Sequence, residues 1–294
     1  MTLRSLVRGA AERTLCALPR RTQPGDRLIL AYHNVVPTDW APRGDRSLHL
    51  PIDRFEAQLR LIREQAEIVP LMELLTTDVP HKRRVAISFD DAYASALTLG
   101  VPACIAADAP CTIFVAPALL GTVPHWDWAA ESGAWSDADR ERFLWQQGGV
   151  PAHGQEDLMH SSCAELRIAE YAHLRAVASS ALVTIGNHTM RHPNLGALSE
   201  DAASDEIDEA DGWLRQRFPS QYVPVLAYPF GLVGSHDDSA RWTRTVKYAL
   251  RVSGGWMKHG EERIRLQTAR WNVPAGVSAR GFQLRLRGYG NGRP

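Results

Sequence analysis

The feature that most constrains the fold is an alternation of apolar, strand-like segments with helix-like segments along the 294-residue chain. The strand-like segments are residues 27–36, 67–71, 83–91, 111–116, 181–186, 223–231 and 248–254. The helix-like segments are residues 53–65, 164–180 and 199–218, with Asp53 and Ser199 as predicted N-caps of the first and the last. Strands that alternate with helices predict an α/β fold of parallel β-α units, in an open sheet or a closed barrel.

The alternation divides the chain into a short extension and one domain. Residues 1–26 predict an N-terminal helical extension, since leucines recur at rough helical spacing between arginines. Residues 27–294 form the main domain. Around residues 121–163 the rhythm is broken by "HWDWAA" and several glycines, so we interpret this part as an insertion that serves as a lid or a substrate wall.

Charge and hydropathy exclude some partners. Lys+Arg and Asp+Glu are equal at 33 each, and we find no nucleic-acid-binding motif, so a nucleic-acid partner is not expected. Arginines cluster at both ends of the chain, which we interpret as solvated side chains; peripheral contact with an anionic membrane is the alternative. The sequence shows neither a secretory signal nor a run of about 20 apolar residues, so we expect a cytoplasmic protein, with the inner face of the membrane as a further location.

Polar clusters follow several of the predicted strands. They are His33 after the first strand, Asp90 and Asp91 after "VAISF", His188 after "ALVTIG", and Tyr228 and Pro229 after "VPVLA". In parallel α/β folds, the carboxyl ends of the strands form the face that carries the active site. We therefore expect these clusters to meet on one rim.

The residue types on this rim favour metal-dependent hydrolysis. The neighbouring carboxylates of Asp90 and Asp91 point to opposite sides of an extended strand, so one can bind a cation while the other faces water; helix capping is the alternative. His188 and His192 are four residues apart, a spacing that suits a divalent metal but also occurs in surface histidines. Two imidazoles and one carboxylate leave coordination positions open, as catalytic metals require, and a second carboxylate can take a proton from water.

The motifs that contain these residues resemble those of a known family. "SFDDAY", "HTMRH" and "YPFG", in this order, are similar to the first three motifs of the polysaccharide deacetylases, the NodB-homology group or carbohydrate esterase family 4. Further likeness is found in "LILAYHNV", "HWDWAA", "LSEDAASDEIDEADGWL", "RWNVPAG" and "FQLRLRG". The resemblance covers nearly the whole chain from about residue 28 onward.

The resemblance implies a distorted (β/α) barrel that removes N-acetyl groups from an amino sugar, such as N-acetylglucosamine, in a polysaccharide or a glycan precursor. It implies a divalent metal ion as cofactor, with Zn²⁺ as the default, and an N-acetylated carbohydrate as the substrate. Transferred to matching positions, Asp90 is the catalytic base, and the metal ligands are Asp91, His188 and His192.

The resemblance also implies a set of substrate contacts. Tyr228, Pro229 and Phe230 of "YPFG" are expected to line the site, where a backbone amide can hold an oxyanion. Trp126 in "HWDW" is expected to stack on a sugar face, and Asp127 to orient a substrate hydroxyl or His33. A tryptophan that only fills the core is the alternative.

The chain departs from the family pattern in three places. Ala92 stands where the family has a glycine after the acidic pair, the arginine that holds the base is missing from "VPVLAYPFG", and a late histidine motif is not evident. Some relatives place the general acid in an early "YH" strand, so we assign that role to His33, with a core histidine as the alternative. His236 and His259 are weaker candidates.

Two other functions remain open at this point. The same fold could hydrolyse a formyl group, a cyclic amide or an ester. The missing arginine also permits a carbohydrate-binding relative without catalytic activity, although such a protein would have no evident use for both acids and both histidines.

Overall fold

Parallel strands carry the fold. In the computed structural model, which describes residues 19–132, 136–150, 163–233, 244–260 and 265–290, there are ten strands. They are β1 (Arg27–Tyr32), β2 (Asn34–Val36), β3 (His49–Pro51), β4 (Glu67–Ile68), β5 (Arg84–Phe89), β6 (Cys111–Val115), β7 (Val183–Asn187), β8 (Tyr222–Ala227), β9 (Tyr248–Val252) and β10 (Thr268–Asn272). The α-helices are α1 (Ile52–Arg63), α2 (Leu71–Thr76), α3 (Val101–Ala106), α4 (His125–Ser132), α5 (Asp137–Gln146), α6 (Tyr171–Val177), α7 (Glu200–Arg217) and α8 (Ala279–Leu286).

Seven strands close into a barrel. The sheet runs in the order β1-β10-β9-β8-β7-β6-β5, and β1 pairs in parallel with both β10 and β5, which completes the ring. β4 pairs with β5 at the outside, while β2 and β3 form a separate parallel pair. The predicted α/β class is confirmed, and of the two arrangements left open the chain adopts the distorted barrel.

Side-chain alternation along the strands builds two apolar layers. On β1, Leu28 and Leu30 belong to the outer core against the helices, whereas Ile29 belongs to the inner core with Phe114 of β6. The inner core also contains three leucines of α2, including Leu74. The strands themselves are occupied by these two apolar layers. The polar side chains that follow the strands therefore lie at the carboxyl ends, outside both layers.

Several local predictions are confirmed and others are corrected. The Ser199 side chain accepts a hydrogen bond from the Ala202 amide and caps α7 as predicted. Asp53 does not cap α1, because the helix begins one residue earlier and Asp53 lies in its first turn, where an acid favours the helix dipole. The segment 27–36 is two strands separated at His33, and of the predicted helix 164–180 only α6 is α-helical.

The termini and the insertion are described in part. The helical stripe of the predicted extension falls on residues 1–18, which lie outside the described residues, as do residues 151–162 of the insertion. The described part of the insertion contains α4 and α5. The interpretation of the terminal arginines as solvated is wrong for Arg27 and Arg270, because both side chains are buried.

Across the described ranges, no helix combines the length and the apolar character that spanning a bilayer requires.

Candidate functional site

The register of the barrel brings His33 and Asp90 together. Tyr32, the last residue of β1, is paired with Phe89, the last residue of β5. The next residues along the two strands are therefore neighbours, and the Asp90 amide donates to the Tyr32 carbonyl at 2.8 Å. Two polar residues from segments far apart in sequence thus lie on the same rim.

A three-residue cluster lies beside them. Asp91, His188 and His192 are buried, and one ligand atom from each lies within 4.8 Å of the others. Asp91 Oδ1 is 3.3 Å from His188 Nε2 and 3.3 Å from His192 Nε2. The structure therefore brings together the three residues that the sequence predicted as metal ligands.

The segment that contains His188 and His192 forms a tight turn. Thr189 and His192 both adopt left-handed backbone conformations, with φ of 65° and 60°. The Asn187 side chain accepts from the Thr189 amide at 2.7 Å, and Thr189 Oγ1 accepts from the His192 amide at 3.1 Å. On α7, Glu206 accepts from both the amide and the guanidinium of Arg191, which anchors this turn to the helix.

The donor set fits a divalent cation. Asp91 Oδ1 is a buried carboxylate oxygen without a hydrogen-bond partner among the described residues, an arrangement that a bound cation would satisfy. His188 Nδ1 lies 2.7 Å from the Ala227 carbonyl, which can only accept, so this nitrogen carries the proton. Its Nε2 then has a free lone pair directed at the cluster, as a metal ligand needs.

Burial and mutual contacts set the charges in the cluster. Burial would raise the pKa of Asp91, but the close imidazoles of His188 and His192 outweigh burial and place that pKa well below the usual value. Burial lowers the pKa of His192, whereas for His188 the contacts with Asp91 and Asp90 outweigh burial and raise the pKa. The cluster therefore favours an ionised carboxylate beside the two imidazoles, which suits a cation.

Asp90 is held by an arginine that the sequence analysis did not identify. Arg270 Nη1 donates to Asp90 Oδ1 at 2.6 Å, and both side chains are almost fully buried. Burial would raise the pKa of Asp90, but the charges of Arg270, His188 and His33 lower it below its ordinary value. Arg270 of β10 thus takes the place of the arginine that is missing before "YPFG". Its side chain points into the barrel, as does that of Asn272, two residues further along the same strand.

His33 lies on the other side of Asp90. Its Nε2 is 3.9 Å from Asp90 Oδ2, and the side chain is 14% exposed at the edge of the cavity. Of the weaker candidates, His259 contacts Asp78 at 3.4 Å and does not line this cavity, and His236 lies outside the described residues.

A cavity of about 210 Å³ opens onto these groups. It is lined by His33, Asp45, Leu48, Asp90, Asp91, Trp126, His188, His192, Phe230, Gly231, Val252, Arg270 and Asn272. Asp45 and Asn272 line the cavity but were not among the predicted site residues. Asn272 lies in "RWNVPAG", one of the motifs that carry the family resemblance, whereas Asp45 lies in a loop without a recognisable pattern.

The "YPFG" segment lines the cavity with fewer residues than predicted. Phe230 is at the wall, but Tyr228 and Pro229 do not line it. The Tyr228 hydroxyl donates to the Leu266 carbonyl, and its amide donates to the Leu250 carbonyl within the sheet. The Tyr228 amide is therefore engaged in strand pairing and is not the donor that an oxyanion would need.

The two predicted contacts in "HWDW" have different surroundings. Trp126 lines the cavity, and its ring centroid lies 4.7 Å from that of His192. Asp127 is fully buried behind it and accepts hydrogen bonds from Tyr93 and His49, so it contacts neither His33 nor the cavity. The position of Asp127 does not support the predicted substrate contact.

Ala92 adopts a left-handed backbone conformation. Its φ is 59°, in the region that a glycine occupies without strain. The side chain is fully buried, so an alanine is accommodated at the position where the family resemblance implies a glycine.

Comparisons with known proteins agree with this geometry. A model of the polysaccharide deacetylase family matches residues 77–249. Among curated proteins, no sequence shows significant similarity to the chain.

Solved structures show the same fold at low identity. The Streptococcus pyogenes deacetylase PplD, solved in complex with acetate, has a TM-score of 0.62 at 17% identity, covering 90% of this chain and 99% of its own. IcaB from Ammonifex degensii has a TM-score of 0.63 at 16% identity, covering 90% and 99%. A de-N-acetylase from Aggregatibacter actinomycetemcomitans has a TM-score of 0.60 at 13% identity, covering 86% and 97%.

Proposed function

Because the chain belongs to the polysaccharide deacetylase family, we propose that it is a metal-dependent hydrolase that removes N-acetyl groups from an amino sugar. One observation carries the proposal. A buried cluster of one carboxylate and two imidazoles lies next to a second carboxylate, Asp90, whose Oδ2 faces His33 at the cavity.

The proposed metal site consists of Asp91, His188 and His192. A divalent cation bound there would lower the pKa of water and polarise the amide carbonyl. With three protein ligands, the cation would keep coordination positions open toward the cavity. A structural site with four protein ligands would have no open position. Zn²⁺ is the ion we propose, because two imidazoles and one carboxylate are a common catalytic zinc set.

Asp90 and His33 divide the proton transfers. Arg270 occupies Asp90 Oδ1, so Oδ2 is the oxygen available to take a proton from the attacking water. As water adds to the amide carbon and the C–N bond breaks, the amine nitrogen must receive a proton. We assign His33 as the donor of this proton. Acetate and the free amino sugar are then the products.

The oxyanion donor within "YPFG" is assigned to Phe230. The Tyr228 amide pairs with Leu250, Pro229 has no N–H, and the Gly231 amide donates to the Tyr228 carbonyl. The Phe230 amide has no backbone acceptor among the described residues. It is therefore the amide in this segment that can stabilise developing negative charge.

Arg270 argues against the non-catalytic alternative. That alternative rested on the missing arginine, and Arg270 fills its place with a 2.6 Å hydrogen bond to Asp90. A sugar-binding protein would gain nothing from a buried carboxylate kept ionised by a buried guanidinium, since such pairs carry a desolvation cost.

The insertion favours a substrate larger than one sugar ring. A second cavity of about 190 Å³ shares Asp45, Trp126 and Phe230 with the first and is walled by Phe143 and Leu144 of α5. Aromatic walls with a few polar groups are typical of sites for extended ligands. This supports the prediction that the insertion forms a substrate wall and points to an oligosaccharide or a carrier-linked sugar.

Acetate release tests the proposal directly. The purified protein, loaded with Zn²⁺, is incubated with N-acetylglucosamine oligomers, and acetate and formate are measured separately. We expect acetate release that falls by at least about 100-fold in Asp90→Asn, the size typical of losing a general base. Unchanged turnover in Asp90→Asn would show the assigned base to be wrong, and formate release from formylated donors alone would favour a deformylase.

A further inference from the structure

The two histidines of the cluster are held in different ways. His188 donates from Nδ1 to the Ala227 carbonyl, whereas His192 Nδ1 is buried without a hydrogen-bond partner among the described residues. Metal-ligating histidines are normally oriented by a hydrogen bond from the second ring nitrogen. The orientation of His192 therefore needs another source.

That source is a set of aromatic rings. The His192 ring centroid lies 4.7 Å from that of Trp126 and 4.6 Å from that of Phe230, with interplanar angles of 43° and 74°. His188 packs edge-on against it at 4.7 Å. Ring contacts at these distances restrict rotation of the buried imidazole as a hydrogen bond would.

The Trp126 ring is itself fixed by hydrogen bonds. Its indole Nε1 donates to the Tyr93 hydroxyl at 2.7 Å. That hydroxyl in turn donates to Asp127 Oδ2 at 2.6 Å, and both Tyr93 and Asp127 are fully buried. The plane of the indole is thus set by a partner in the protein interior and not by solvent.

The chain of hydrogen bonds continues behind Asp127. Its Oδ1 accepts from His49 Nε2 at 2.9 Å and from the Asp45 amide at 2.7 Å. His49 Nδ1 lies 3.1 Å from Asn34 Nδ2, which can only donate, so His49 carries its proton on Nε2. Every side-chain group in this series from Asn34 to Tyr93 is buried, so its geometry is determined by the fold.

We propose that Trp126 is a positioning residue for His192, and that Tyr93 and Asp127 set the orientation of Trp126. The proposal rests on the proposed metal site, because it assigns these residues a role in holding one of its ligands. This role explains why Asp127 is fully buried. An acid that contacted substrate would instead be exposed at the cavity.

Metal affinity tests the proposal with a matched control. Tyr93→Phe removes a hydroxyl that donates to Asp127, and the control Tyr289→Phe removes a hydroxyl that donates to the Pro19 carbonyl at 2.5 Å and does not line the cavity. Zn²⁺ affinity is measured on the full chain by competition with a chromogenic chelator. We expect Tyr93→Phe to weaken Zn²⁺ binding by about 10-fold and Tyr289→Phe to leave it unchanged.

A second pair of variants separates ring packing from hydrogen bonding. Trp126→Phe keeps an aromatic ring but loses the indole N–H, and Trp126→Leu loses both. We expect Zn²⁺ affinity to fall in the order native, Trp126→Phe, Trp126→Leu, with the largest loss between about 10- and 100-fold. Native affinity in both Tyr93→Phe and Trp126→Leu, with the fold intact by circular dichroism, would overturn the proposal.

A readout on the metal-free protein distinguishes this proposal from the proposed function. The ring C–H signals of His192 are followed by NMR in the presence of a chelator. Tyr93→Phe should displace them, because the Trp126 ring changes its position over the imidazole, while Tyr289→Phe should not. A native protein that binds no Zn²⁺ refutes the proposed function, whereas His192 signals that are identical in Tyr93→Phe refute the positioning role.

Discussion

Replacing Arg270 with methionine is expected to destabilise the protein strongly. The Arg270 guanidinium lies 2.6 Å from Asp90 Oδ1, and the two side chains are 1% and 3% exposed. Methionine is of similar length and remains apolar, so Arg270→Met leaves the Asp90 carboxylate buried without its countercharge. Breaking a buried pair in this way costs about 3–5 kcal/mol of unfolding free energy, because the remaining charge is uncompensated.

Lys82 offers a control pair at the surface. Lys82 Nζ lies 3.0 Å from Glu67 Oε1, and the two side chains are 59% and 42% exposed. Water and salt screen this pair, so Lys82→Met is expected to cost about 0–1 kcal/mol. The two variants therefore compare a buried ion pair with an exposed one.

Urea unfolding measures both variants. It is carried out with a chelator present, so that metal binding adds nothing to the apparent stability. The double variant Asp90→Asn/Arg270→Met should be less destabilised than the sum of the two single variants by about 0.5–3 kcal/mol, since the unpaired charge is gone. A loss below about 1 kcal/mol in Arg270→Met, equal to that of Lys82→Met, would refute the buried ion pair.

Three further substitutions test the surroundings of the site, each by its urea unfolding midpoint. Gly186→Ala places a Cβ against the buried Phe114 ring and should cost about 1–3 kcal/mol by overpacking the barrel interior. Glu206→Gln removes the carboxylate that accepts from Arg191, and should cost about 1.5–3 kcal/mol while also weakening Zn²⁺ binding through the histidine turn. Ser199→Ala removes the cap of α7 and should cost about 1 kcal/mol without any effect on Zn²⁺ binding, which distinguishes it from Glu206→Gln.

The sequence was sufficient to predict which residues end the strands. Apolar runs followed by His33, by Asp90 and by His188 identified strand ends, and parallel β-α units place such ends on one rim. The structure brings these residues to one cavity of the barrel. The shared rim could be predicted because it requires only the apolar runs that identify strands and the rule that parallel strands in β-α units end on the same side.

Contacts between distant segments could not be predicted in the same way. Arg270 lies 180 residues after Asp90, in a strand whose short alternating sequence "TARWN" gives little indication of burial. Asp127 and His49 are 78 residues apart, and neither pattern points to the other. Their pairing follows from how the loops and the insertion pack on the barrel, which the sequence alone does not specify.

The proposed metal site is tested most directly by an anomalous-scattering map from crystals of the protein grown with Zn²⁺, recorded at the zinc absorption edge. We expect one strong peak in contact with Asp91 Oδ1, His188 Nε2 and His192 Nε2, with zinc–nitrogen distances of about 2.0–2.1 Å. We also expect no such peak in His188→Ala. A map without density at these three atoms, or a peak that persists in His188→Ala, would refute the metal site.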